Sequence, residues 1–256
     1  MSVVEKMPSV SVRDQVSAEE WQTRVDLAAT YRLIAHYGWD DLIYTHLSAR
    51  VPGPEHHFLL NPYGMLFDEI TASSLVKIDL DGKIVMDSPY GVNAAGFTIH
   101  SAVHAEGNNA NCVIHTHSSD GVAVAAQTDG LLPLSQTAMV LLGDMAYHDY
   151  EGIALDLDER ERLVHDLGDK HSMILRNHGL LSTGATCADA FVRHFFLERA
   201  CTMQVRALSG GVDLNMPNQG VPEKTAGQTK GMEGMGALPW PALLRKLDRM
   251  DASYRD

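Results

Sequence analysis

The stretch NCVIHTHSSDG, residues 111–121, passes from an apolar run through two histidines into a polar turn. The apolar run is typical of a buried strand, and residues two apart in a strand point the same way. His115 and His117 therefore share one face at the strand end, where side chains are both held rigidly and accessible. Two imidazoles in this arrangement can chelate one metal ion, although the same pattern also suits two polar residues at a strand exit.

A second strand end carries another histidine. The short apolar run SMILR (172–176) leads into Asn177-His178-Gly179, in which the glycine permits a tight turn. Alone, His178 is more typical of a hydrogen-bonded structural residue than of a metal ligand. Together with His115 and His117, it would supply three imidazole ligands and leave one coordination position of the metal open. That is the pattern of a catalytic metal site. Sequence spacing does not show whether the two segments meet.

Two further histidines, His100 and His104, lie four residues apart on a predicted helix. Such a pair binds zinc in the HExxH motif, but that motif needs glutamate where this chain has Ser101. We therefore interpret both histidines as structural or supporting residues.

Helical and strand patterns alternate along the rest of the chain. Ser17 opens a capping box ahead of a predicted amphipathic helix over 18–37. The region 42–86 indicates a β-meander, with Asp81-Gly82 as a hairpin signal. Further helices are predicted over 96–106, 121–127, 158–168, 185–208 and 241–250, and an irregular loop over 210–238. The pattern favours one domain in which helices flank a mostly antiparallel sheet.

The composition excludes some classes of binding partner and indicates the cellular compartment. The formal net charge of −13 argues against nucleic acid or an anionic membrane as a partner, because both are bound through basic patches. The three cysteines, Cys112, Cys187 and Cys201, do not form a disulfide framework, so we expect reduced thiols. The N-terminal residues lack an apolar signal segment, and no stretch reaches the length of a membrane span. We expect a cytoplasmic protein that does not bind membranes.

Three longer runs carry a resemblance to a known family. They are GVNAAGFTIHSAVHAEGNNANCVIHTHSSDGVAVAA (91–126), GLLPLSQTAMVLLGDMAYHDYEG (130–152) and ILRNHGLLSTG (174–184). Together they resemble the class II aldolase/adducin family, and its adducin-like, bacterial-type branch most, over residues 18–210. The resemblance implies a three-layer α/β/α sandwich and a homotetramer with active sites between subunits. The N-terminal arm is then 1–17, and a C-terminal loop and helix over 211–256 pack on the same domain.

The resemblance also implies a functional site. The family's metal triad matches His115, His117 and His178, so we expect one divalent ion per chain. Zinc is the first expectation, and manganese, iron, cobalt and nickel also suit three imidazoles. His46 and Tyr147 are the candidate catalytic residues, although His46 fits a hydrogen-bonded strand histidine equally well. The candidate substrate-binding residues are Thr45, Asn61, Tyr63, Gly64, Asn93, Gly96 and His148.

Two departures from the family's sugar-phosphate aldolases bear on the reaction. Those enzymes carry an acid/base glutamate four residues before the first helix histidine, and Gly96 stands at that position here. Their phosphate-binding segments correspond to residues 45–48, 63–64 and 94–95, where only the glycine is kept. We therefore expect a small-molecule substrate without phosphate, and a different proton-transfer residue, for which His46 is the candidate.

Three functions follow from these observations. The leading prediction is a metal-dependent carbon–carbon lyase, a decarboxylase or retro-aldolase, acting on a non-phosphorylated hydroxy- or keto-carboxylate, aromatic acids included. Decarboxylation needs no base, and retro-aldol cleavage needs only deprotonation of a hydroxyl. An adducin-like oligomeric binding module is the alternative; we expect the enzyme because no basic run precedes Asp256. A non-haem Fe(II) oxygenase is the third.

Overall fold

The computed structural model describes residues 11–106, 110–152, 159–229 and 234–256. The strands in these ranges are β1 (His46–Arg50), β2 (Phe58–Leu60), β3 (Val76–Ile78), β4 (Cys112–Thr116), β5 (Met145–His148), β6 (Ser172–Leu175) and β7 (Gly179–Gly184). The α-helices are α1 (Val12–Gln15), α2 (Ala18–Tyr37), α3 (Ala94–Glu106), α4 (Ser119–Ala125), α5 (Gln136–Leu141), α6 (Glu159–Leu167), α7 (Cys187–Ser209), α8 (Val221–Thr229) and α9 (Pro239–Met250).

The strands form one sheet in the order β3-β2-β1-β4-β7-β6-β5. Every neighbouring pair is antiparallel except β5 and β6, which run parallel. β4 lies in the middle of the sheet, where His115 pairs with His46 on β1 and with Leu181 on β7. The strand that carries the HxH motif is therefore hydrogen-bonded on both sides.

Alternation along β4 sends its side chains to two different helical layers. Val113 belongs to an apolar cluster with residues of α3 and α6 on one face of the sheet. Ile114 packs on the other face in a cluster with residues of α2 and α7. The predicted three-layer α/β/α sandwich with a mostly antiparallel sheet is thus confirmed.

The long helices lie where the sequence predicts to within two residues at each end, and α2 has the predicted bounds. Ser17 caps α2, since its hydroxyl accepts the amide of Glu20 at 3.1 Å. Gly38 ends that helix with φ 71°, a left-handed conformation that glycine adopts without strain. At the other end of the chain α9 packs on α2 and α7, and Trp240 Nε1 donates to Asp26 Oδ1 at 3.1 Å.

Several predicted elements differ from those observed. The strand predicted from residue 42 begins only at His46, because Leu42 and Thr45 have φ values of 54° and 65°. Residues 83–86, which follow the Asp81-Gly82 turn, form only an isolated bridge, between Ile84 and Ile78, with one backbone hydrogen bond on each side of it.

Other elements were absent from the predictions. The predicted irregular loop over 210–238 contains α8, and the predicted arm over 1–17 contains the short helix α1, whereas residues 1–10 and 230–233 lie outside the described part. α5, β5 and β7 were not predicted at all. β7 was missed because Gly179 and Gly184 bound it and its polar Ser182 and Thr183 are buried.

The cysteines and the lengths of the helices complete the description of the fold. Cys112, Cys187 and Cys201 are buried and free. Within the described residues, no helix has both the length and the apolar character needed to span a membrane.

Candidate metal centre

Three histidines from two separate segments meet at one end of the sheet. His115 lies near the end of β4, His117 directly follows that strand, and His178 lies in the turn between β6 and β7. One nitrogen of each ring lies within 4.8 Å of the others. The ring centroids are 4.8 Å apart in all three pairs. The structure thus brings together the two segments that sequence spacing could not connect.

Hydrogen bonds at Nδ1 orient two of the three rings. His115 Nδ1 lies 2.9 Å from the carbonyl oxygen of Leu180, and His117 Nδ1 lies 3.1 Å from Asp41 Oδ2. Because these oxygens accept, each Nδ1 donates, and each neutral imidazole keeps a lone pair on Nε2. The two Nε2 atoms are 3.0 Å apart. That distance is less than twice a zinc–nitrogen bond of about 2 Å, so both atoms can bind one ion.

Burial keeps two of the three rings, those of His115 and His178, in the form that binds metals. Burial lowers the pKa of His115 well below its usual value, and the imidazoles of His178 and His117 lower it further. Burial likewise lowers the pKa of His178 to about 4, with a further contribution from His117. Metal ions bind neutral imidazole, so this donor set fits a divalent ion.

The turn that carries His178 is held by a close backbone approach. Asn177 adopts φ 57°, and its amide donates to the carbonyl of Ala125 at 3.1 Å. Gly179 faces the backbone of β4, where an added Cβ would lie 2.2 Å from the carbonyl oxygen of Thr116. Glycine at 179 therefore lets the turn approach the HxH strand closely enough for its histidine to join the other two.

A buried hydrogen-bonded group lies beside the triad on the α3 face of the sheet. His46 pairs with His115 across β1 and β4, and its ring lies 5.6 Å from that of His100. Ser48 Oγ lies 2.6 Å from His100 Nδ1 and 2.7 Å from His104 Nε2. Burial lowers the pKa of both His46 and His104 to about 4. These contacts agree with the interpretation of the two α3 histidines as supporting residues.

A second buried polar group lies under the HxH motif on the α7 face. Thr116 Oγ1 donates to Glu198 Oε1 at 2.8 Å, and Ser118 Oγ donates to Glu198 Oε2 at 2.6 Å. His194 Nε2 lies 3.0 Å from Thr116 Oγ1, and its Nδ1 lies 3.1 Å from Ser182 Oγ. All five side chains are buried. This group holds the residues on either side of His117.

Two adjacent candidates, Tyr147 and His148, lie on opposite faces of the sheet. Tyr147 packs on the α7 side, away from the triad, where its hydroxyl accepts a backbone amide and its ring contacts the Arg176 guanidinium at 4.8 Å. His148 is buried, with Nδ1 2.8 Å from Asp166 Oδ2, and it helps to lower the pKa of His178. The structure thus brings His148 towards the triad and leaves Tyr147 elsewhere.

Another tyrosine lies nearer. Tyr150 is 52% exposed, and its ring centroid lies 6.0 Å from that of His178. Its position makes it a better tyrosine candidate than Tyr147.

The contacts of Thr45 and Asn61 distinguish the roles of these two predicted substrate-binding residues. Thr45, next to His46, has a buried hydroxyl without a hydrogen-bond partner among the described residues, and its φ is 65°. Asn61 has a structural contact instead, since its Oδ1 lies 3.0 Å from the hydroxyl of Tyr31, which also accepts the amide of Leu47. Thr45 therefore remains a candidate, whereas Asn61 helps to join α2 to the sheet.

Tyr63 and Gly64 lie apart from the triad. Tyr63 is 46% exposed and Gly64 has φ 104°, and in the described part of the chain no hydrogen bond or ring contact joins them to the triad. Asn93 directly precedes α3. Gly96 belongs to α3, and its surroundings lie outside the described residues.

Sequence reasoning missed two acidic residues at this centre, Asp41 and Glu198. Asp41 lies in the loop before β1 and reaches His117 only because β1 and β4 are neighbours. Glu198 lies in the middle of α7, where a single acid in a long helix usually faces solvent. The one available signal was that the Glu198 carboxylate falls on the apolar face of α7.

Comparison with known proteins gives a consistent picture. Residues 25–205 match the model of the class II aldolase and adducin N-terminal domain. A Caulobacter vibrioides protein assigned to the class 2 aldolases is 58% identical over 252 residues, which cover 98% of each chain. Mouse alpha-adducin is 44% identical over 243 residues, covering 89% of this chain and 33% of the adducin.

Solved structures resemble the chain as well. An aldolase II superfamily protein from Pseudomonas syringae has a TM-score of 0.92 and 55% identity, covering 96% of this chain and 100% of that one. The L-fuculose 1-phosphate aldolase from Glaciozyma antarctica has a TM-score of 0.82 and 27% identity, covering 98% and 97%.

Proposed function

Because the chain belongs to the class II aldolase and adducin N-terminal domain family, we propose that it is a metal-dependent carbon–carbon lyase. The proposed substrate is a non-phosphorylated hydroxy- or keto-carboxylate, aromatic acids included, and the reaction is decarboxylation or retro-aldol cleavage. The observation that carries the proposal is the three-histidine cluster, in which the Nε2 atoms of His115 and His117 lie 3.0 Å apart. His115, His117 and His178 are the proposed ligands, with zinc as the first expectation.

The proposed chemistry combines the triad with His46. A divalent ion at the triad would polarise a carbonyl oxygen as a Lewis acid. In retro-aldol cleavage, His46 takes the proton of the substrate hydroxyl, a C=O bond forms as the C–C bond breaks, and the electron pair passes to the carbon next to the second carbonyl. Burial keeps His46 neutral, with a pKa of about 4, and a neutral imidazole has one nitrogen that can accept a proton. Tyr150 is the proposed donor of the returning proton.

The charges around the triad support a substrate without phosphate. A phosphate dianion is usually bound by Arg or Lys side chains or by several amides. Burial lowers the pKa of both His46 and His100, so these neighbours are neutral. Arg176, two residues before His178, is turned onto the ring of Tyr147 and onto backbone carbonyls.

Metal content is the first test of the proposal. We expect about one zinc per chain in the protein as isolated, measured by inductively coupled plasma mass spectrometry. His115→Ala and His178→Ala should each abolish the bound metal. His165→Ala is the matched control, because that side chain is 87% exposed and should leave the metal in place. Manganese would also fit the lyase, whereas iron would favour the oxygenase.

A substrate panel then tests the reaction itself. Hydroxy- and keto-carboxylates, aliphatic and aromatic, should release CO2 or an aldehyde only when the metal is present. Folded protein that takes up no metal on reconstitution would refute the lyase.

One observation favours a second candidate, an adducin-like binding module. It is the 44% identity to mouse alpha-adducin, which extends over 89% of this chain. Under this alternative the triad stabilises the fold without turnover. Metal-loaded protein that retains its ion but cleaves no member of the panel would favour the module over the enzyme.

We further propose that the chain is a homotetramer in the cytoplasm, without nucleic-acid or membrane partners. Leu42 and Tyr44, in the loop that carries Asp41, are 64% and 48% exposed, as expected of side chains that contact another subunit. Three buried free thiols suit a reducing compartment. Light scattering coupled to size-exclusion chromatography should give four times the 28.0 kDa of one chain.

A further inference from the structure

Glu198 approaches the HxH motif from the side of the sheet opposite the imidazoles. His115 and His117 project towards the α3 face, whereas Thr116 projects towards α7. The Glu198 carboxylate accepts the Thr116 hydroxyl at one oxygen, 2.8 Å away, and the Ser118 hydroxyl at the other, 2.6 Å away. The two donors are the immediate neighbours of His117 in the chain.

We infer that Glu198 is a positioning residue for the metal centre, which fixes His117 by holding both of its neighbours. This inference rests on the proposed metal site. His117 lies beyond the last residue of β4, so the ladder of the sheet does not hold its backbone on both sides. Two hydrogen bonds to one buried carboxylate supply that constraint, and bonds to a charged acceptor are stronger than neutral ones.

The rest of the group fixes the carboxylate itself. Glu198 is 1% exposed and His194 is 0% exposed, and His194 Nε2 lies 3.4 Å from Glu198 Oε1. Ser118 also accepts the amide of Gly121 at 3.1 Å, so the same hydroxyl caps α4. Every polar atom of the carboxylate therefore has a partner, and its two oxygens have a single available orientation.

Asp41 and Glu198 have different tasks at the same ligand. Asp41 contacts the His117 ring directly and sets which nitrogen carries the proton. Glu198 instead accepts the side-chain hydroxyl groups of Thr116 and Ser118, and through them it restrains the chain on either side of His117. Loss of Glu198 should therefore weaken metal binding while leaving the three ligands chemically intact.

A double-mutant cycle on zinc affinity tests the inference. Thr116→Val removes one donor with little change of shape, and Glu198→Met removes the acceptor of both hydroxyl groups. Each should raise the zinc Kd by about tenfold, measured by chelator competition on folded protein. The double variant should bind zinc no more weakly than Glu198→Met alone, because loss of the carboxylate already breaks the Thr116 contact. Thr116→Ser keeps the hydroxyl and should restore affinity close to that of the wild type.

Thr202→Val is the matched control, because Thr202 also lies on α7 but donates to Asp120 and not to Glu198. It should leave the Kd unchanged. In metal-free protein, amide hydrogen exchange at residues 115–118 should rise in Thr116→Val and not in the control.

Wild-type affinity in Thr116→Val, or effects that multiply in the double variant, would overturn the role of Glu198 alone. Absence of zinc binding by the wild type would overturn the metal site together with this inference.

Discussion

The Nδ1 atom of His117 lies 3.1 Å from Oδ2 of Asp41, in a loop that precedes β1. A carboxylate at this position orients the ring and leaves Nε2 as the atom that faces His115. Asp41 is thereby the link between the β1 side of the sheet and the proposed metal ligands.

Removing that carboxylate should weaken metal binding without unfolding the protein. We expect Asp41→Ala to raise the zinc Kd by about 10- to 100-fold, since His117 loses its orienting partner. Chelator competition measures the change. Asp40→Ala is the matched control, because it removes an adjacent acid that forms no described contact with the triad. Equal effects of both variants would point to general loop damage and against the specific contact.

Gly179→Ala should be severely destabilising. A Cβ at this position would lie 2.2 Å from a backbone oxygen of Thr116, so β4 and the His178 turn must move apart. We expect a loss of at least about 2 kcal/mol in the free energy of unfolding, measured with urea, together with loss of bound zinc.

The control for this change is Gly227→Ala, in α8, where an added Cβ meets no atom within 4 Å. It should be neutral or stabilising, because alanine favours helix. A Gly179→Ala variant as stable as the wild type would contradict the close approach.

Stability of the metal-free protein should fall in mild acid, partly through His104. Burial lowers the pKa of this residue from 6.5 to about 4, so between these values the unfolded chain binds more protons than the folded one. Its stabilisation is complete above pH 6.5 and is lost as the pH falls towards 4. The full effect corresponds to about 3 kcal/mol.

Urea unfolding between about pH 7 and pH 5 measures this slope. His104→Gln should be less stable at neutral pH but should show a shallower loss, whereas His165→Gln, at an exposed position, should keep the wild-type slope. An unchanged slope in His104→Gln would remove His104 from the explanation.

Tyr31→Phe should show that Asn61 has a structural role. The Tyr31 hydroxyl is buried and contacts both Asn61 and the backbone of Leu47. Its loss leaves these buried groups unpaired, so we expect about 1–3 kcal/mol less stability with little change in zinc affinity. Tyr63→Phe, at a half-exposed position, is the control. A large change in metal binding in Tyr31→Phe would instead connect Asn61 to the site.

Local patterns in the sequence were enough to predict the long elements. The capping serine and the terminal glycine define α2, and an apolar run bounded by a polar turn defines β4. Both signals act over a few residues, which is the range that a single sequence reveals. β7 escaped because its polar residues look exposed in isolation and are buried only by α7.

In the candidate site, too, local features could be predicted from the sequence, whereas contacts between distant segments could not. Strand periodicity placed His115 and His117 on one face, but their meeting with His178 depends on the pairing of β4 with β7, which spacing does not encode. Tyr147 and His148 are adjacent in the sequence, and both were candidates. They lie on opposite faces of the sheet because side chains alternate along β5. The contacts of Asp41 and Glu198 depend on packing between distant elements, so no local sequence signal could predict which residues they contact.

The position of β4 in the sheet has a consequence for how long an ion would stay bound. The edges of the sheet are β3 and β5, and these outer strands are the first to fray. β4 is protected by neighbours on both sides, so its proposed ligand His115 leaves its place only when the sheet itself opens. Brief warming that loosens only the outer strands should therefore leave His115 in place, so an early loss of metal would report movement of His117 or His178.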